Sequence, residues 1–173
     1  DMAFDGLLPA LQMKKVDLVI AGMTANEERM KTVSFTQPYY TASQVIIVKE
    51  GDSSIKSFAD LKGKKVGVML GFTGDMVVSE IDGVKIVRFN AAYAGIMALQ
   101  AGKVEAIVLD SEPAKNYVAQ NKGLVLADAD AEQEEYAIAV RKNDKALLEK
   151  VEKALSEIKE NGTYDKLIQK YFN

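Results

Sequence analysis

The sequence predicts an α/β protein built as two similar lobes, and three observations lead there. Apolar runs of strand length alternate with segments of helical periodicity along most of the chain. The strand runs are apolar at successive positions, as in "VDLVIAG" and "QVIIVKE", which marks strands covered on both faces in largely parallel sheets. One segment is also written twice: "ALQMKKVDLVIAG" from Ala10 and "ALQAGKVEAIVLD" from Ala98, with Leu11 answered by Leu99, Lys15 by Lys103 and Asp17 by Glu105. The two copies lie too far apart for a solenoid repeat, but suit one βαβ unit in each of two lobes, with a cleft implied.

The elements follow in order. "FDGLLPALQ" carries Leu7, Leu8 and Leu11 at helical spacing, and Lys14 and Lys15 sit where cations suit the helix dipole. "VDLVIAG" is a strand stopped by Gly22. Thr24 and Glu27 stand at capping-box spacing, which predicts a helical turn in "TANEER". An irregular Pro38 segment leads into a β-branched strand, Gln44 to Val48. A loop and short helix then precede the strand "KVGVML", the turn "GFTGD" and a helix from about Asp75. "VKIVRF" is a strand, "AAYAGIMALQAGK" a helix, "VEAIVLD" a strand, and "SEPAKNYVAQN" a helix with Pro113 in its first turn. "GLVLAD" and "EEYAIAVRK" read as strands. Leu147, Leu148, Val151, Leu155 and Ile158 form the stripe of a long helix that Gly162 stops, and "TYDKLIQKYF" adds a last amphipathic piece.

Composition excludes several chemistries. The 173 residues are 48% hydrophobic and 27% charged, enough for a real core in one large domain or two small lobes. A net charge of −3 with interspersed Lys and Glu leaves no basic footprint for nucleic acid. Without Cys or His there are no disulfides, thiol nucleophiles or Ser-His triads, and the commonest metal ligand is missing; no cofactor or metal is expected. No apolar run approaches the roughly 18 residues of a membrane helix, and no signal-peptide pattern is present. The chain starts at Asp1 without an initiator Met, so processing or a fragment is expected. The strand count agrees, because the first lobe can claim fewer strands than the second. A strand-helix-strand at the N-terminus is therefore expected to be lost by truncation or cleavage, or supplied by another chain.

"FDGLLPALQMKKVDLVIAGMTANEERMKTVSFTQPYY", "VGVMLGFTGD", "VEAIVLD" and "NGTYDKLIQKYF" together resemble the polar amino-acid-binding proteins, the extracytoplasmic solute receptors of bacterial ABC importers. The resemblance spans the whole chain, and the family begins its first lobe with further residues. It implies two flavodoxin-like lobes, the first N-terminally incomplete: residues 1–48 with 136–173, and residues 49–135. Two crossover strands would join them near Val48–Glu50 and Glu134–Ala137, and the lobes would close on a free amino acid. Carried over by position, Phe4 is an aromatic wall beside the ligand, the Gly22 carbonyl accepts from the ligand ammonium, and Thr24 places a hydroxyl near it. Arg29 grips the carboxylate, joined by the Thr73 hydroxyl and amide, and Asp110 takes the ammonium. Met69, Phe72 and Leu109 are candidate pocket lining. The resemblance further implies an ABC permease as partner and a periplasmic or other extracytoplasmic location, a surface lipoprotein included.

The chemistry of these positions is coherent. A buried zwitterion needs both charges paired, and the planar fork of Arg29 suits a carboxylate. "VGVMLGFTGD" is a strand, glycine turn and helix start of anion-holding type. It lacks the GK[ST] of a P-loop, and Asp75 disfavours a multiply charged anion. Each position also has a plainer reading. Arg29 would pair on the surface with Glu27 or Glu28, Thr73 would cap its helix, and Asp110 or Ser111 would cap the next. Phe4 would be core. Gln44, Tyr39 and Tyr136 fit the cleft or the interior equally. Met69 and Leu109, both apolar, favour a neutral or partly apolar amino acid. Two other readings stand beside the receptor. One is a dehydratase-like enzyme of the same fold, with Asp110 or Glu112 as general acid. The other is a sensory or fragment form, whose open sheet edges would pair with another chain or a swapped homodimer.

Overall fold

The computed structural model describes residues 2–127 and 133–172. Asp128, which ends the predicted strand "GLVLAD", lies outside the described residues. The chain divides into two units: Asp1–Asp5 with Ala42–Glu134, and Gly6–Thr41 with Glu135–Asn173. The unit therefore changes between Thr41 and Ala42, inside strand β3 (Tyr40–Lys49), and between Glu134 and Glu135, inside strand β8 (Gln133–Tyr136).

In the larger unit, β4 (Lys65–Met69), β5 (Lys85–Phe89) and β6 (Ala106–Asp110) alternate with α3 (Thr73–Ser79), α4 (Ala92–Gln100) and α5 (Ser111–Gln120). With β7 (Leu124–Leu126) the sheet runs β5-β4-β6-β3-β7, and β8 also pairs with β3. β4 is parallel to β5 and β6, whereas β3 is antiparallel to β6 and β7. The sheet is thus mixed where a largely parallel one was expected: β4, β5 and β6 are linked by helical crossovers, and β3 arrives without one. Both faces are buried. Ile47, Met69, Ile107 and Leu109 pack on one side with Ile96 and Leu99 of α4; Ile46, Val48, Val66, Val68 and Val108 pack on the other with Val78 of α3.

In the smaller unit, β9 (Ala139–Arg141) lies between β1 (Leu18–Val19) and β2 (Val33–Phe35), antiparallel to both. α1 (Leu7–Gln12) follows a 3-10 turn at Phe4–Gly6, α2 is Glu27–Met30, and α6 (Lys145–Glu160) and α7 (Thr163–Phe172) close the chain. "EEYAIAVRK", expected as one strand, is two: β8 and β9 separated by Ala137 and Ile138. The α2 cap is Asn26, whose side chain accepts from the Arg29 amide at 2.9 Å, in place of the expected Thr24 box. Asp144 caps α6 through the Leu147 amide at 3.2 Å. Ile20, Tyr39, Tyr40, Ile138, Leu155 and Tyr164 line part of an apolar groove of about 360 Å³ within this unit. Among the described residues, no helix is long and apolar enough to cross a membrane.

The duplicated segment has a common backbone cause. After α1 the Lys15 amide donates to Ala10 O at 2.9 Å and Lys14 to Leu11 O at 3.2 Å; after α4, Lys103 donates to Ala98 O at 2.8 Å and Gly102 to Leu99 O at 3.0 Å. Both are Schellman stops, each turning on a left-handed residue, Lys14 at φ 59° and Gly102 at φ 70°. The first copy holds its lysine in a conformation that L side chains disfavour, and the second uses glycine. Lys14→Gly is therefore expected to raise stability by about 0.5–1 kcal/mol, the relieved strain less glycine's extra unfolded-state entropy. Urea unfolding checks this; no gain or a loss would refute it.

Candidate functional site

Three predicted site residues belong to the smaller unit. Gly22, at φ 60°, donates its amide to Tyr39 Oη at 3.0 Å. Thr24 is buried and bridges to Tyr136 in antiparallel sense. Its carbonyl accepts from Arg29 Nη1 at 2.9 Å. Arg29 is only 5% exposed, whereas Glu27 and Glu28 beside it are exposed, so the plain surface-pair reading fails. The Asn26 cap fixes the start of α2, and α2 turns the arginine inward against the Thr24 carbonyl. An ionised guanidinium is thus buried with its fork oriented by backbone.

Tyr39 anchors this part. Burial pushes its phenol above the ordinary tyrosine value, and the Gly22 amide only partly offsets that. The Tyr164 hydroxyl donates to the Tyr39 carbonyl. A raised phenol pKa means the folded state keeps a proton that the unfolded chain releases, so stability is full below the unfolded value near 10 and falls as pH rises past it. Tyr39→Phe is expected to flatten that alkaline fall. Melting curves at stepwise rising pH test this; parallel declines in both proteins would count against it.

The larger unit holds the rest. Phe4 and Phe72 meet with ring centroids 4.1 Å apart, tilted by 40°. Phe72 occupies the N-cap position of α3, so Thr73 is its first helical residue and not the cap. Asp75 reaches back from the first turn: its carboxylate accepts the Gly71 amide at 3.3 Å and Arg88 Nε at 3.0 Å, with Arg88 Nη2 at 2.9 Å. The acid is largely buried and held by a fork, which fixes the turn bearing Phe72 and Thr73.

Asp110 ends β6, at the carboxyl edge where open α/β sheets gather ligands. It stands in the N-cap position of α5, yet its side chain makes no capping bond. Instead its Oδ1 accepts from Gln44 Nε2 at 2.7 Å, and the same nitrogen donates to Glu134 Oε1 at 2.7 Å. All three are buried. Ser111 Oγ accepts from the Ser43 amide at 3.3 Å, and Glu112 pairs with Lys115 at 2.8 Å. Met69 and Leu109, each 2% exposed, pack in the core of this unit with Ile47 and Ile107. Their apolarity is therefore explained by packing and says nothing about a ligand's side chain.

The structure thus brings together Thr24 with Arg29, Phe4 with Phe72, and Asp110 with Gln44. Sequence reasoning did not single out the roles of Glu134, Asp75 and Arg88. The signal for Gln44 was available: it is the one polar residue of "QVIIV", a run whose Ile46, Ile47 and Val48 are buried.

Two units carrying buried Arg29 and Asp110 are the arrangement in which the comparisons with known proteins find a solute-binding protein. The chain belongs to the bacterial extracellular solute-binding proteins, family 3, whose pattern matches residues 1–173. It is 38% identical over 186 aligned residues to an L-arginine-binding protein of Pseudomonas aeruginosa, covering 100% of this chain and 71% of that protein. Among solved structures, an ancestral arginine-binding protein bound to arginine superposes with a TM-score of 0.95 at 48% identity, over 99% of this chain and 78% of the other. An ancestral arginine-binding protein bound to glutamine gives 0.94 at 49% identity, over 99% of this chain and 77% of the other. These relatives are binding proteins.

Proposed function

We propose that this chain takes part in binding a free amino acid, L-arginine foremost, for delivery to an ABC-type importer from an extracytoplasmic compartment. The observation that carries the reading is the similarity to arginine-binding proteins along essentially the whole chain, at 38–49% identity. The residues supply the chemistry. Arg29 takes the α-carboxylate through its fork, with the Thr73 hydroxyl and amide as further donors. Asp110 takes the α-ammonium, joined by the Gly22 carbonyl, and the Thr24 hydroxyl lies near the ligand. The faces of Phe4 and Phe72 suit a guanidinium, which stacks on aromatic rings through both its charge and its plane.

A cationic side chain is favoured over the neutral one first expected. The basis for the neutral expectation was Met69 and Leu109, and both are core. Isothermal titration of the protein with L-arginine, L-histidine, L-glutamine and L-leucine tests the reading. Saturable binding of L-arginine tighter than of L-leucine is expected; heat signals absent for all four, or preference for L-leucine, would overturn it.

A further inference from the structure

We infer that Gln44 is a positioning residue for amino-acid binding, holding Asp110 in the orientation that receives the ligand ammonium. The inference rests on the amino-acid reading for the role of Asp110, but its geometry stands on its own. β3 and β6 pair antiparallel with Gln44 directly opposite Asp110, so the two side chains leave the sheet on the same face. The Gln44 amide nitrogen lies 2.7 Å from Asp110 Oδ1 and 2.7 Å from Glu134 Oε1. A primary amide has two N–H groups, and here each is directed at one carboxylate. The reversed amide would aim its carbonyl at both acids, so the orientation follows from charge as well as geometry.

The other end of the side chain is equally constrained. A Cβ at residue 74 would sit 2.6 Å from Gln44 Oε1 and 3.1 Å from Val108 Cγ1, so this approach requires glycine at position 74. Gly74 follows Thr73 at the start of α3. Gln44 therefore spans from the residue proposed for the ammonium to the neighbour of a residue proposed for the carboxylate.

The position is not optimised for stability. Gln44 is 1% exposed, and its Oε1 makes no hydrogen bond among the described residues. Burying an unsatisfied carbonyl is unfavourable, and Met or Leu in a strand flanked by apolar residues would avoid it. What those residues could not do is hold two acids apart on one donor. Removing the donor would take from both carboxylates the amide they share, and with it the bond that orients Asp110 Oδ1.

The test compares L-arginine with 5-guanidinopentanoic acid, the same molecule without its α-ammonium. Gln44→Met is expected to weaken L-arginine about tenfold or more, the scale of a lost hydrogen bond to a charged group, and the analogue less than about threefold. Equal losses for both ligands would indicate general disruption and overturn the inference, as would no loss for either. Should Gln44→Met fail to fold, Gln44→Asn, one methylene shorter, makes the same comparison. A ligand-free measurement separates this inference from the functional reading: NMR Hα–Hβ couplings of Asp110 are expected to report a single rotamer in the unsubstituted protein and averaging in the variant. A rotamer unchanged by the substitution refutes the positioning role even if L-arginine binds. If L-arginine does not bind the unsubstituted protein, the amino-acid reading falls while the couplings still decide whether Gln44 holds Asp110.

Discussion

Replacing Arg29 with alanine is expected to cost about 3–5 kcal/mol of L-arginine binding, the scale of breaking a buried ion pair, or roughly a hundred- to several-thousand-fold in Kd. The size follows from where the charge sits. Arg29 is 5% exposed and held by the Thr24 carbonyl at 2.9 Å, so its orientation is set before any ligand arrives. A carboxylate taken out of water without that cation keeps its desolvation cost and loses its partner. Thr24→Ala is expected to have a much smaller effect, because alanine keeps the backbone carbonyl that steers the guanidinium and only a neutral hydroxyl is lost. Arg29→Lys should fall between, retaining charge without the fork. Titration calorimetry, with circular dichroism to establish that each variant is folded, decides the matter. A folded Arg29→Ala protein with unchanged affinity would contradict the assignment.

Gly67→Val is expected to destabilise the protein by about 3 kcal/mol, the upper part of the usual range for overpacking a core, or roughly 6–12 °C in Tm for a chain of this size. Gly67 is the middle residue of β4, paired with Val87 of β5 and Ile107 of β6. A Cβ there would stand 2.4 Å from Ile107 Cδ1 and 2.9 Å from Phe89 Cε2, distances real atoms do not adopt. Both neighbours are in a sheet interior closed by α4, whose own Gly95 would meet the same Ile107 methyl at 3.2 Å. The two glycines thus make room for one isoleucine. Ile107→Val deletes the offending Cδ1, so combining it with Gly67→Ala should recover part of what Gly67→Ala alone loses, a non-additivity that a double-mutant cycle measures. A Tm of Gly67→Val equal to that of the unsubstituted protein would show the sheet is looser than described.

Much of the fold was readable in the sequence because helical stripes and apolar runs are local signals. The α6 stripe and the strands of "KVGVML" and "VEAIVLD" are of that kind. Strand partners are not local. "EEYAIAVRK" is continuous in its apolar pattern, yet β8 pairs with β3 and β9 lies between β1 and β2, and no residue-by-residue pattern announces a change of neighbour. β2 was overlooked because three residues between two threonines carry little periodicity. The cap at α2 failed by phase: Thr24 and Asn26 are both preferred capping types, and only the backbone path selects the second. Arg29 could be proposed as a site residue by resemblance, but its burial could not be foreseen, since arginine is ordinarily a surface residue. The link from Gln44 to Asp110 required the register of β3 on β6.

The twin helix stops bear on the order in which this chain can fold. Each is closed by bonds among near neighbours, Ala10 to Lys15 and Ala98 to Lys103, and contacts so short in sequence form on far faster timescales than sheet registration. The heading of the chain as it leaves each helix is therefore available before β1 or β6 has found a neighbour, narrowing the search for register at two separate places.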